Sequence, residues 1–135
     1  MTLSDNPTQQ TFHLDGVKHI LPEAACKAVQ EGEVYLLDVR EANEWESERL
    51  DMADVLYHPL SIIMERLQHI PTDRTIIVLC VKGIRSTKVA NLLNIQDFGS
   101  VANLDGGLEA WKRAGLPVFQ SENKGCSCGC SCDSC

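Results

Sequence analysis

No apolar run in this sequence approaches the roughly 20 residues that a membrane span requires, so no membrane association is expected. The opening residues, MTLSDNPTQQ, have neither a basic start nor an apolar stretch and do not read as a secretory leader. A cytoplasmic protein is expected, in a compartment where thiols stay reduced. An excess of positive charge is also lacking. Twelve Lys and Arg stand against 19 Asp and Glu, a net charge of -7, which argues against general nucleic-acid binding and against anionic membranes. Cysteine is sparse until the very end: Cys26 and Cys80 precede a cluster in the last ten residues, so no disulfide framework spans the chain. The four histidines, His13, His19, His58 and His69, lack the spacing of metal ligands. There is no internal repeat.

What remains is an ordinary globular balance, 44% hydrophobic and 23% charged over 135 residues, enough for one domain with one core. Residues 1–11 are polar and read as disordered, 12–120 as the folded domain, and 121–135 as a Gly/Ser/Cys tail that cannot build a core. Within the domain, strand-like and helix-like patterns alternate. VKHI, EVYLLDVR, DVLYHPL, RTIIVLC and VANLDGG read as strands; the second and fourth have continuous apolar centres, as strands covered on both faces would. LPEAACKAVQEG reads as a helix with Pro22 at its start and Gly32 past its end, and Cys26 as part of its packed face. EANEWESER reads as a short, partly helical piece. LSIIMERLQHIP places Leu60, Ile63, Met64, Leu67 and Ile70 on one helical face. STKVANLLNI turns Val89, Leu92 and Leu93 inward, and GLEAWKRAGLP reads as a last helix closed by Gly115 and Pro117. This alternation predicts an α/β fold: an open, mostly parallel five-stranded sheet with helices on both faces. Sites in such folds form outside the carboxyl ends of the strands.

Charge is distributed unevenly. From Arg74 to Gln96 there are four basic residues and no acidic one, whereas Glu41 to Asp54 carries six acidic residues against Arg49. The basic stretch surrounds Cys80, at the carboxyl end of the best-defined strand, so a small anionic substrate suits that place. The acidic stretch reads as a solvated face. Cys80 opens the loop CVKGIRS. Gly83 permits a tight curve with positive φ. Successive backbone N–H groups there can form an anion-binding nest, and the helix start near Ser86 adds unpaired donors. A free cysteine titrates near about 8.5, and a helix N-terminus with nearby cations can bring such a thiol to about 3.5–7.5. The loop therefore suits a nucleophilic thiol without a neighbouring histidine base.

CVKGIRS resembles the active-site loop of the rhodanese-domain sulfurtransferases. LLDVRE resembles the segment that opens the acidic part of that family, and NLDGGLEAWKRAGLPV its C-terminal signature, with Gly106, Gly107, Trp111, Gly115 and Pro117. The resemblance covers roughly residues 12–119. It implies a ping-pong reaction in which Cys80 takes the outer sulfur of a donor such as thiosulfate, releases sulfite, and passes the sulfur to a thiol or cyanide acceptor, with no cofactor required. It also implies a substrate-binding loop of Val81, Lys82, Gly83, Ile84, Arg85 and Ser86, with Lys82 and Arg85 attracting the donor. Asp38 and Arg40 are expected to hold the loop ends by ion pairing, and Trp45 and Trp111 to pack. Phosphatases of this architecture separate cysteine and arginine by five residues; here four intervene, which suits a sulfur atom better than a phosphate. The family also carries Gly-His-Ile-x-Gly-Ala after its acidic segment. Here the stretch is Glu48, Arg49, Leu50, Asp51, Met52 and Ala53, which departs at most positions. The rival reading is a non-catalytic rhodanese-like binding module.

The tail, CSCGCSCDSC, holds Cys126, Cys128, Cys130, Cys132 and Cys135. Adjacent C-x-C thiolates can share one soft metal ion, Zn(II) or Cu(I). The same thiols could relay sulfur from Cys80, or the segment could be inert.

Overall fold

The computed structural model describes residues 3–120. Seven strands and five helices follow one another: β1 (Lys18–Ile20), α1 (Pro22–Gln30), β2 (Val34–Asp38), α2 (Ala42–Ser47), β3 (Glu48–Leu50), β4 (Val55–Tyr57), α3 (Ile63–Arg66), β5 (Thr75–Leu79), α4 (Ile84–Ile95), β6 (Val101–Leu104), α5 (Gly107–Arg113) and β7 (Val118–Gln120). Five strands form one sheet in the order β1-β6-β5-β2-β4, with every pairing parallel. The expected α/β architecture is therefore present. The side chains of β5 alternate between the two faces, as a strand requires. Ile77 and Leu79 pack with α1 and α5 around Trp111, while Ile76, Val78 and then Cys80 pack with α3 and α4 around Leu93. The sheet is covered on both sides, and β5, with four of its five residues fully buried, lies at its centre.

Three parts depart from the pattern. LSIIMERLQHIP does not make one helix: two 3-10 turns, Leu60–Ile62 and Leu67–His69, flank the four residues of α3, and Met64 is 59% exposed. The tighter 3-10 winding rotates successive side chains away from the 3.6-residue stripe that would have turned Met64 inward. A second, two-stranded antiparallel sheet joins β3 to β7, with Glu48 opposite Gln120. Its strands of three residues are too short to show a period in the sequence. The polar N-terminal segment also makes specific contacts. Ser4 exchanges backbone hydrogen bonds with His19 at 2.9 and 2.8 Å, and Thr8 and Gln9 donate to the buried carboxylate of Asp105. Asp105 lies 97 and 96 residues beyond Thr8 and Gln9, so local composition does not reveal these contacts. No helix among the described residues is long and apolar enough to cross a membrane.

Candidate active site

β5 delivers Cys80 to the carboxyl edge of the sheet, where the chain turns through Val81, Lys82 and Gly83 into α4. Gly83 has φ +96° and forms the N-cap, so the helix begins at Ile84, two residues earlier than Ser86. A side chain at that φ would be strained, and a Cβ there would meet the Gln10 amide. The turn aims two main-chain donors at one atom. The N–H of Gly83 lies 3.2 Å from Cys80 Sγ, and the N–H of Ser86 lies 3.4 Å from it. Opposite peptide faces are held by α5. Leu108 N–H donates to the Cys80 carbonyl (2.8 Å) and Glu109 N–H to that of Val81 (3.0 Å). Those two carbonyls belong to the peptides that carry the Val81 and Lys82 N–H groups, so α5 fixes the first two peptide planes of the loop, and the turn that follows brings the Gly83 and Ser86 N–H groups to the sulfur. Gly107 makes the approach possible: a Cβ there would stand 2.5 Å from the Cys80 carbonyl oxygen and 2.6 Å from that of Val81.

The expected loop residues divide into two groups. Gly83 and Ser86 touch the sulfur, and Cys80 itself is 1% exposed. Val81 is half-buried, whereas Lys82 and Ile84 are exposed; both line a cleft of about 320 Å³ with Gln10 and Arg113, outside the thiol's cradle. Arg85 stands beside the thiol but is not a free cation. Its guanidinium is bidentate to Glu44, at 2.8 and 3.0 Å. That pairing, and secondarily the adjacent thiol, raises the Arg85 pKa. Arg85 in turn pulls the Glu44 carboxyl down to about 2, helped by the N–H of Glu41. The acidic stretch is therefore not simply a solvated face. Glu41 accepts from Ser61, Glu44 from Arg85, Glu48 from Lys112 and Gln120, and Asp54 from Arg74.

Asp38 and Arg40 pair with each other, buried, with Arg40 Nη2 at 2.8 Å from Asp38 Oδ2. The same guanidinium donates to the Glu48 carbonyl at 2.6 Å, which fastens the end of β2 to β3. Arg40, Glu44, Glu48, Val81 and Lys112 border a recess of about 210 Å³ on this side of the loop.

A buried hydrogen-bond chain leads away from the sulfur on the other side. Gly106 N–H donates to Gln10 Oε1 (2.9 Å), which makes that atom an acceptor. The Asn103 atom facing it must then be the amide nitrogen (3.0 Å), so Asn103 Oδ1 faces Ser86 Oγ at 2.5 Å and accepts the hydroxyl's hydrogen bond. Asn103 Nδ2 also donates to His19 Nδ1 (3.1 Å), which leaves the His19 proton on Nε2, shared with His13 Nδ1 (2.9 Å). His19 is fully buried, and burial followed by the nearby His13 lowers its pKa. One backbone N–H thus sets the direction of the whole chain. The Ser86 hydroxyl, committed to Asn103, offers the sulfur at 3.4 Å a lone pair. Gln10 Nε2 meanwhile reaches the carbonyls of Phe12 and Gly83 (2.8 and 3.3 Å) and Thr87 Oγ1 (3.1 Å).

A family model described as "Rhodanese-like domain" matches residues 21–114. The chain belongs to this family. A sulfurtransferase of Allochromatium vinosum is 37% identical over 90 residues, covering 67% of this chain and 82% of that protein. The thiosulfate sulfurtransferase GlpE of Vibrio cholerae is 33% identical over 109 residues, 80% of this chain and 100% of that one. Among solved structures, the polysulfide-sulfur transferase homodimer of Wolinella succinogenes superposes with a TM-score of 0.70 at 21% identity, covering 82% of this chain and 83% of that one. The rhodanese-like family accounts for the quoted motifs, but residue identity alone does not show three contributors to the site. Gln10 lies outside the matched range. Glu44 lies inside a run of acidic residues that gives no sign which carboxylate meets Arg85. Asn103 reads as one more strand residue. The spacing of Gly106 and Gly107 was visible, their contact with the Cys80 loop was not. The tail cysteines, Cys126 to Cys135, lie outside the described residues, and no group of three metal-capable side chains is found among the described ones.

Proposed function

We propose that the protein is a sulfurtransferase that moves a sulfane sulfur from thiosulfate, or a similar small anionic donor, to a nucleophilic acceptor through a persulfide on Cys80. The observation that carries this reading is the convergence of the Gly83 and Ser86 N–H groups on Cys80 Sγ. Fixed main-chain dipoles aimed at one atom stabilise negative charge there without reorganisation. The Cys80 thiolate attacks the outer sulfur of thiosulfate; a new S–S bond forms, the old one breaks, and sulfite leaves with the electron pair. The outer sulfur of the persulfide then carries the charge inside the same cradle. A thiol or cyanide attacks that sulfur and restores the thiolate. Paired with Glu44, Arg85 acts as an oriented dipole at the rim, and the more exposed Lys82 supplies the uncompensated attraction for an anion.

The near-complete burial of Cys80 restricts direct acceptors to small nucleophiles or extended chains. The catalytic unit ends near Gln120, with 121–135 appended, and its N-terminal limit precedes residue 12, because Gln10 bonds to the Gly83 carbonyl and Gly106 N–H beside the site. A reducing cytoplasm keeps the thiol free to react. Incubation with thiosulfate followed by intact mass tests the reading. Wild type should gain one cyanide-labile sulfur on Cys80, and Cys80→Ser none at all. A protein that retains no sulfur but cleaves a phosphoester would be a phosphatase instead.

A further inference from the structure

The Ser86 hydroxyl stands between two acceptors and has one hydrogen to give. On one side is Asn103 Oδ1 at 2.5 Å, the short end of the range for O–H···O contacts. On the other is Cys80 Sγ at 3.4 Å. Asn103 is not free to turn away. Both hydrogens of its amide nitrogen are engaged, one by Gln10 Oε1 at 3.0 Å and one by His19 Nδ1 at 3.1 Å. Gln10 Oε1 is itself held as an acceptor by the Gly106 N–H. A flip would break both amide contacts and set Asn103 Oδ1 against Gln10 Oε1. Asn103 is fully buried, and among the described residues Ser86 is the donor to its Oδ1. A hydroxyl that left for the sulfur would strand that oxygen where water does not replace the bond.

We propose that Asn103 is a positioning residue that withholds the Ser86 hydroxyl from Cys80, so that no hydroxyl joins the Gly83 and Ser86 N–H groups in donating to the sulfur. The assignment rests on the sulfurtransferase reading, since the arrangement serves the attack of a thiolate on another sulfur. Each donor added to a thiolate makes it easier to form and less reactive once formed. Nucleophilicity falls with basicity, along a Brønsted slope of about 0.4–0.5. Two fixed N–H groups hold the charge, and a third donor would tame it. In the neutral state the Ser86 oxygen accepts the S–H instead. The charged or titratable groups around this pair are Arg85, bound to Glu44, Lys82 on the loop, and His19 behind Asn103 with His13 and Asp105. Substituting Asn103 also disturbs His19, so the effect of Ser86 is compared in two backgrounds, in which that disturbance cancels.

The test uses the full reduced chain and follows alkylation of Cys80 by iodoacetamide with peptide mass, across pH, in Ser86→Ala, Asn103→Ala and the double variant. In Asn103→Ala the freed hydroxyl donates to the thiolate. The pH of half-maximal alkylation should fall by about one unit, a tenfold change in ionisation. The plateau rate at high pH should fall about threefold. Adding Ser86→Ala to that background should reverse both changes. In the wild-type background Ser86→Ala should instead lower the half-maximal pH slightly, by about 0.3 unit, because the weak S–H donor loses its acceptor. A rise on Ser86→Ala alone overturns the proposal, since the hydroxyl would then already donate to the thiolate. So does an equal effect of Ser86→Ala in both backgrounds, or a higher half-maximal pH in Asn103→Ala, which a merely loosened loop would give. If Asn103→Ala does not fold, Ser86→Ala decides alone: a fall supports the proposal, and a rise or no change overturns it. Loading with thiosulfate separates this proposal from the reading beneath it. Above both half-maximal pH values Asn103→Ala should load Cys80 about threefold more slowly than wild type. A wild type that takes up no sulfur overturns the sulfurtransferase reading; one that loads while the two backgrounds respond alike overturns the role of Asn103 alone.

Discussion

Replacing Glu44 by glutamine removes one charge from the pair beside the nucleophile and leaves the shape of the side chain intact. The amide oxygen can still accept from the Glu41 N–H, so the start of α2 keeps its capping contact. What is lost is the ionic half of the contact with Arg85. The carboxyl falls from an ordinary 4.5 to about 2 in the fold, which corresponds to at most about 3.4 kcal/mol. The two side chains are 28% and 32% exposed, so solvent screening brings the expected contribution to about 1–2 kcal/mol. A depressed folded-state pKa stabilises above the unfolded value, and that stability is lost as pH falls through the folded one. Urea unfolding of wild type and Glu44→Gln should therefore differ by about 1–2 kcal/mol at pH 7. The gap should close to less than half of that at pH 3, below the ordinary carboxyl value. A gap of equal size at both pH values would refute the reasoning, because the contribution would then not be ionic. So would identical stabilities at pH 7.

Three further substitutions probe the surroundings. Gln10→Ala removes both the acceptor for Gly106 N–H and the donor to the Gly83 carbonyl; with buried partners left unsatisfied, unfolding should come about 1–3 kcal/mol more easily, and alkylation of Cys80 should change in its pH profile, whereas an unaltered profile would make Gln10 merely structural. Gly107→Ala forces a Cβ against two carbonyl oxygens at φ +63°; sulfur loading from thiosulfate should be lost, and retained loading would show that the α5 clamp is dispensable. His19, whose pKa is lowered first by burial, takes up a proton more readily when unfolded. Stability should fall as pH drops below about 6.5. His19→Gln should flatten that part of the urea-midpoint profile between pH 7.5 and 5.5, and an unchanged slope would assign it to other groups.

The sequence displayed most of the architecture because its signals were local. Four apolar residues in a row before Cys80 read as a strand covered on both faces, and the alternation with helical patterns on either side placed that strand in a parallel sheet. It displayed the nucleophile for the same reason: Cys80, Gly83 and Ser86 are consecutive enough for one turn to bring them together. It concealed whatever depends on distant pairing. Glu44 reaches Arg85 across 41 residues, and Gln10 reaches Asn103 across 93. The acidic run looked solvent-facing because composition records charge but not partners. The short β3–β7 sheet was hidden by its length, and the 3-10 turns around Ile63 by an apolar spacing that a regular helix would also have produced.

The cradle around Cys80 is made from peptide groups rather than side chains, and this limits how mutation can disable it. An amide hydrogen is common to every residue except proline, so ordinary exchange at position 86 leaves its contact with the sulfur in place, and exchange at position 83 acts by straining the chain and crowding Gln10 rather than by removing a donor. Single substitutions can thus reshape the entrance, the rim charge or the choice of acceptor while the grip on the reacting sulfur persists. New partners for the carried sulfur can be acquired without rebuilding the part that holds it.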